Sequence, residues 1–179
     1  MKYLLTVLMA FALIISGCKK SSTNSGGDID EVNTHVTVDV KTPAIEYFNF
    51  STNSGSADET SAHDIVFYSE KWNPTDAPSN IIIDDPRFRT KNGLSIAVLE
   101  ETKLADVTDV PTIGEFVTNF ISEKGEWYYM SSLNVPLPYD RVYIVNTVDG
   151  KFPAFEIIKY IDEEGELGFF NIEWKYLSE

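Results

Sequence analysis

The sequence predicts a mainly β domain, an antiparallel sandwich or a distorted barrel-like arrangement, with one short helix. Three observations carry that expectation. Short runs of β-branched and aromatic residues recur along the chain, separated by Gly, Pro, Asn and Asp clusters. The last 40 residues read as a meander with one buried face, and a single segment has helical rather than strand periodicity.

The first strand is expected where His35-Val36-Thr37-Val38-Asp39-Val40-Lys41 alternates polar and apolar residues. Tyr47-Phe48-Asn49-Phe50 and Ile65-Val66-Phe67-Tyr68 follow as strands, divided by a turn-rich stretch at residues 51–61. Residues 71–79, Lys-Trp-Asn-Pro-Thr-Asp-Ala-Pro-Ser, form a loop, because two prolines and their neighbours resist both helix and sheet ladders. Ile81-Ile82-Ile83 and Leu94-Ser95-Ile96-Ala97-Val98 supply two more strands. Thr112 and Glu115 have capping-box spacing, and Ile113, Phe116, Val117, Phe120 and Ile121 recur at helical intervals. These residues predict a core-facing helix over 113–122, stopped near Gly125. Pro136-Leu137-Pro138 is read as a loop.

In the C-terminal third, Val142-Tyr143-Ile144-Val145-Asn146-Thr147 runs into Asp149-Gly150, a pair that tolerates the positive φ of a tight hairpin. The chain returns over residues 152–160. A second turn at 162–165 leads into residues 169–176, where Phe170, Ile172, Trp174 and Tyr176 share one face, and Phe169, Asn171, Glu173 and Lys175 the other.

The amino terminus carries a different signal. Lys2 precedes an apolar stretch from residue 3 to 15, too short for the roughly 20 residues of a membrane span, and small residues close it before Cys18, the one cysteine of the chain. Ile15-Ser16-Gly17-Cys18 resembles the lipobox of bacterial lipoproteins, which implies signal cleavage and acylation of Cys18. Residues 1–17 are then a signal peptide, 18–33 the lipidated cysteine and a polar tether, and 34–179 a single folded domain. Removing residues 1–17 from 179 leaves 162, a size for one core. It also removes Lys2, so the formal charge goes from −14 to −15. Such a chain repels nucleic acid and anionic lipid surfaces, which leaves the lipid as the membrane attachment.

No nucleophile elbow, phosphate-binding glycine loop or zinc-helix motif is present. Asp84-Asp85, Glu100-Glu101 and Glu163-Glu164 are adjacent pairs, which a strand sends to opposite faces. The acidic turn at 162–166 lacks the alternating oxygen ligands of a dedicated calcium loop. The sequence therefore argues against an enzyme.

The run Val-Tyr-Ile-Val-Asn-Thr-Val-Asp-Gly-Lys-Phe-Pro-Ala-Phe-Glu-Ile-Ile-Lys-Tyr at 142–160, with Asn-Ile-Glu-Trp-Lys-Tyr at 171–176, resembles the C-terminal hairpin of the HmuY family of haem-binding lipoproteins. Tyr47-Phe48-Asn49-Phe50-Ser51-Thr52 and His63-Asp64-Ile65-Val66-Phe67 are similar to that family's aromatic strand and its Trp-Asp-Ile-Ala-Phe strand. Thr90-Lys91-Asn92-Gly93 stands where the family tends to have a Thr-Asn-Gly-Gly turn. The resemblance covers about residues 41–176. It implies a lipid-anchored haemophore of the outer membrane that binds haem or a related porphyrin and passes it to a TonB-dependent receptor. Members hold the iron between two axial side chains, a histidine pair in some and a methionine pair in others.

This chain departs from that pattern. Past the signal it has one methionine, Met130, and two histidines, His35 and His63. Met130 follows Trp127-Tyr128-Tyr129 and precedes the proline loop, about where the family places its second ligand. A thioether beside flat aromatic faces suits an iron porphyrin, and it also suits a gap in the core. No His, Met or Cys lies between Asp64 and Tyr129, so Tyr128 or Tyr129 stands as an alternative oxygen ligand. His63 replaces the family tryptophan at the head of a strand and reads as structural, while His35 is expected to be solvated at the tether's edge. The candidate haem-binding set is Met130, Tyr128, Tyr129 and His63, and the discriminating feature is whether Met130, the tyrosines and the Trp72 loop line a common slot. The alternative is a non-enzymatic surface interaction module on the same fold without haem.

Overall fold

The computed structural model describes residues 31–72 and 83–178. The predicted signal peptide, Cys18, the tether up to residue 30, most of the predicted 71–79 loop and Ile81-Ile82 lie outside the described residues.

Eleven strands are described: β1 Asn33–Val36, β2 Ile45–Asn49, β3 Ser54–Ser56, β4 Ile65–Trp72, β5 Ile83–Thr90, β6 Ser95–Glu100, β7 Tyr128–Met130, β8 Pro136–Pro138, β9 Arg141–Asn146, β10 Phe152–Ile161 and β11 Leu167–Leu177. They pair antiparallel into a five-stranded sheet in the order β1-β11-β10-β9-β6, a four-stranded sheet β3-β2-β4-β5, and the small β7-β8 hairpin. The two larger sheets face each other without closing into a barrel, so the sandwich is the form realised.

The alternation of side chains decides what lies between them. Phe48, Phe50, Phe67 and Phe88 of the four-stranded side meet Phe155, Phe170 and Trp174 of the five-stranded sheet, with ring centroids 4.9 Å apart for Phe67 and Phe170 and 5.2 Å for Phe50 and Trp174. The predicted face of β11 is the buried one: Phe170, Ile172, Trp174 and Tyr176 all sit in this core. The other face of the five-stranded sheet is also covered. Ala97, Val142, Ile144, Ala154 and Leu177 pack beneath Leu104 and Val107 of the β6–α1 connection. Lys175, predicted on the wetter face, is therefore buried as well.

The helix differs from expectation. In place of one helix over 113–122 there is a 3-10 turn, Ile113–Glu115, and a short α-helix, α1, Phe120–Lys124. Val117 lies between them and exchanges both backbone hydrogen bonds with Ile96 of β6, at 2.8 and 2.9 Å. A backbone that satisfies its amide and carbonyl across a sheet edge cannot also satisfy them along a helix. Ile113 is left exposed, while Phe120 enters the core. Gly125, at φ 77°, ends α1 as predicted. Pro136-Leu137-Pro138 forms strand β8 rather than a loop, on a two-stranded edge where a missing N–H costs no ladder bond.

Candidate functional site

The β7–β8 hairpin stands over one end of the β4–β5 hairpin and is fixed there by its own first residues. Trp127, fully buried, donates from Nε1 to the Pro86 carbonyl at 2.8 Å, and its carbonyl accepts from the Tyr139 N–H at 3.0 Å. Tyr128 Oη donates to Asp85 Oδ1 at 2.5 Å. Asp85 is buried and also accepts from the Arg87 guanidinium, whose Nη1 reaches Glu126 Oε1 at 2.5 Å. The tip is a tight turn. Ser131 Oγ accepts from Val135 N at 3.0 Å, Asn134 N–H donates to the Ser131 carbonyl, and Asn134 adopts φ 57°.

Between this hairpin and the ends of the larger sheets lies a cavity of about 440 Å³, within the range of small-molecule sites. Met130, Pro136, Trp72, Ile83, Tyr160 and Leu167 line it, and Lys41, Asp84 and Asn134 supply its polar groups. Met130 and Trp72 thus share the slot that the sequence left open. Thr42 N–H donates to Asp84 Oδ1 at 3.1 Å and Thr42 Oγ1 to the Ser69 carbonyl at 3.0 Å, which sets the segment carrying Lys41 against the four-stranded sheet.

The other candidates are placed elsewhere. Tyr128 faces Asp85, and burial together with that carboxylate pushes its phenol far above the ordinary tyrosine range. Its hydroxyl is spent as a hydrogen-bond donor to Asp85, and it does not line the Met130 cavity. Tyr129, on the opposite face of β7, is half-exposed and lies 5.4 Å from Tyr139, centroid to centroid. His63 lies two residues before β4, with the strand's own length, ~23 Å, between it and Trp72. There its Nδ1 meets the Ser61 carbonyl at 2.8 Å, and its ring lies 4.9 Å from that of Tyr47. His35 is not solvated as expected. Its Nε2 is 2.5 Å from Glu46 Oε1 and its ring 4.3 Å from that of Phe48, while Glu46 Oε2 accepts from Val38 N–H at 2.6 Å.

A porphyrin's requirements can be set against this lining. A soft donor, a flat indole, apolar walls and an ammonium for a carboxylate are present. Among the described residues the cavity has no second soft or imidazole donor, and Tyr160 does not replace it: its hydroxyl is 3.0 Å from Ser69 Oγ, and burial pushes its pKa up to about 12. The residues fit one-sided ligation through Met130. Lys41, Asp84, Asn134, Tyr160 and Leu167 were not legible as site residues, because each follows an ordinary strand or turn pattern in sequence.

No protein-family model matches the chain, and no curated protein sequence does. Solved structures do share its fold. The apo HmuY analogue of Tannerella forsythia matches with a TM-score of 0.53 at 14% identity, over 85% of this chain and 100% of the other. A Bacteroides vulgatus protein described as HmuY-like and heme-binding matches at 0.55 and 15% identity, over 87% and 100%. A Bacteroides fragilis protein described as a lipoprotein matches at 0.57 and 14% identity, over 89% and 99%. The fold is therefore the one seen in HmuY-like proteins.

Proposed function

We propose that this chain is a lipid-anchored outer-membrane carrier of haem or a related porphyrin, which it delivers to a TonB-dependent receptor. The observation that carries the reading is Met130, whose side chain lines a largely apolar cavity beside Trp72 in a fold shared with HmuY-like proteins. Met130 would hold the iron through sulfur, Trp72 and Leu167 would lie against the ring, and Lys41 and Asn134 would meet its carboxylates. Bound haem would supply the metal that makes the cargo worth carrying; the chain's own task is to bind and shield it. The anchor is Cys18, and the tether lets the domain stand off the membrane.

A second reading, a surface interaction module, is supported by the exposed apolar side chains around the same hairpin: Tyr129, Leu133, Leu137 and Tyr139. Titration of the purified protein with haem separates the two. The carrier gives saturable binding at one haem per chain with a shifted Soret band. Absence of saturable binding in both ferric and ferrous states overturns it in favour of the interaction module.

A further inference from the structure

A second cavity, of about 350 Å³, opens at the other end of the β4–β5 hairpin, between the β5–β6 turn and residues 118–121. Along β4, Tyr68 of this cavity and Trp72 of the Met130 cavity are four residues apart, ~13 Å at strand rise. Its charge sets it apart from the rest of the molecule. The chain has 28 acidic residues against 14 basic, yet among the described residues this cavity is lined by Arg89 and Lys91 and by no carboxylate. Neither cation forms an ion pair among the described residues. Asp64, the acid whose field reaches Lys91, is already engaged: its Oδ2 accepts from Phe50 N–H at 3.0 Å.

The geometry that presents these groups is built into the turn. Arg89 leaves the outer face of β5, two residues beyond the Arg87 that lies opposite Tyr68, so its guanidinium and the half-buried Tyr68 ring share a face. Lys91 N–H donates to the Asp64 carbonyl at 2.9 Å and fixes the chain as it leaves the strand. Thr90 Oγ1 donates to the Leu94 carbonyl at 3.2 Å, closing the turn. Gly93 takes the φ of +90° that the turn requires and faces open space, with nothing within 4 Å of where a Cβ would stand. Asn92, Thr118 and Asn119 are exposed around the rim. Asn119 Oδ1 accepts from Ser122 N–H at 3.5 Å, which leaves the side-chain NH2 to donate outward.

We propose that this cavity binds an acidic sugar. Arg89 and Lys91 hold its carboxylate or phosphate through charge-assisted hydrogen bonds, which are stronger than neutral ones. Asn92, Thr118 and Asn119 meet its ring hydroxyls, and Tyr68 gives the ring a flat side to lie against. Two cations outside any ion pair among the described residues also concentrate anions locally, working against Glu70 and Asp64, whose fields reach Tyr68 and Lys91. The site does not depend on the haem reading, since the two cavities share no lining residue.

Calorimetric titration of the whole protein with glucuronate, glucose 6-phosphate, glucose and inorganic phosphate tests the proposal. Both acidic sugars should bind saturably, glucose should not, and affinity should fall as salt is raised. The double variant Arg89→Gln/Lys91→Gln should weaken the acidic sugars by at least about tenfold while its melting midpoint and haem titration stay those of the parent. The single Arg89→Gln change, on an exposed side chain, should give an intermediate loss. No saturable binding of either acidic sugar, or unchanged binding by the double variant, overturns the site. Inorganic phosphate binding as tightly as the acidic sugars overturns the sugar specificity and leaves an anion site.

Discussion

Replacing Trp174 by alanine separates the two faces of β11 more sharply than any other single change. The indole is 2% exposed, with its ring 5.2 Å from Phe50 and 5.3 Å from Tyr176, and its Nε1 donates to Asn53 Oδ1 at 3.1 Å. An aromatic of this size buries about 200 Å². At about 25 cal/mol/Å² its removal forfeits up to ~5 kcal/mol, an upper bound for a compact unfolded chain, and large aromatic truncations cost about 3–5 kcal/mol. With a urea m-value of about 2 kcal/mol/M, a loss of ~4 kcal/mol lowers the midpoint by ~2 M. The neighbouring Glu173 gives the contrast. It is half-buried and lies directly opposite Glu156 on β10, a like-charge cross-strand pair. Glu173→Ala should move stability by no more than about 0.5 kcal/mol, in the favourable direction. Urea unfolding followed by fluorescence and circular dichroism reads both variants. Equal midpoints would refute the assignment of the two faces and with it the sandwich packing.

Asp64 makes stability depend on pH. Burial outweighs the Phe50 N–H bond and holds its carboxyl above the usual aspartate range, so folding favours the protonated form. That contribution is fully present below the unfolded value of about 3.9 and is lost as pH rises through the higher folded value. Asp64→Asn, which still accepts from Phe50, should therefore raise the urea midpoint at pH 7, with the gap closing as pH falls; a variant weaker than the parent at pH 7 contradicts this. Gly55→Ala and Gly168→Ala should each cost about 1–3 kcal/mol. A Cβ at Gly55 would stand 2.1 Å from Glu46 Oε1, which His35 holds in place. One at Gly168, φ +119°, would stand 2.3 Å from Asp39 Oδ1. Unshifted thermal midpoints would show that those contacts relax freely. Metabolic labelling with a fatty-acid analogue should mark the parent and not Cys18→Ser; label on the serine variant, or none on the parent, removes the lipid anchor.

What the sequence made legible was local. The Asp149-Gly150 hairpin, with Gly150 at φ 75°, and the alternation of β11 follow from turn chemistry and period-two patterning, and both are realised. The features it hid depend on partners far along the chain. Ser54–Ser56 has no strand signal, and it pairs with β2 where Gly55 leaves room for Glu46. Val117 breaks a helical pattern because Ile96 offers it a sheet edge. His35 is drawn out of solvent by a carboxylate eleven residues on. The cavity is harder still, since its lining comes from β4, β5, the β7–β8 hairpin, β10, β11 and the segment holding Lys41. Of its lining, Met130 and Trp72 announced themselves, Met130 because a thioether is a rare ligand type and it is the one methionine past the signal segment.

Haem titration of the parent and of Met130→Ala, in ferric and then ferrous states, tests the central claim most directly. Sulfur ligation stabilises ferrous iron relative to a histidine pair, so the parent should bind ferrous haem more tightly than ferric. Met130→Ala should weaken ferrous binding by at least about tenfold, or ~1.4 kcal/mol, while His35→Ala leaves it unchanged. Saturable binding by the parent that Met130→Ala does not alter would contradict the assignment of Met130 as the iron ligand.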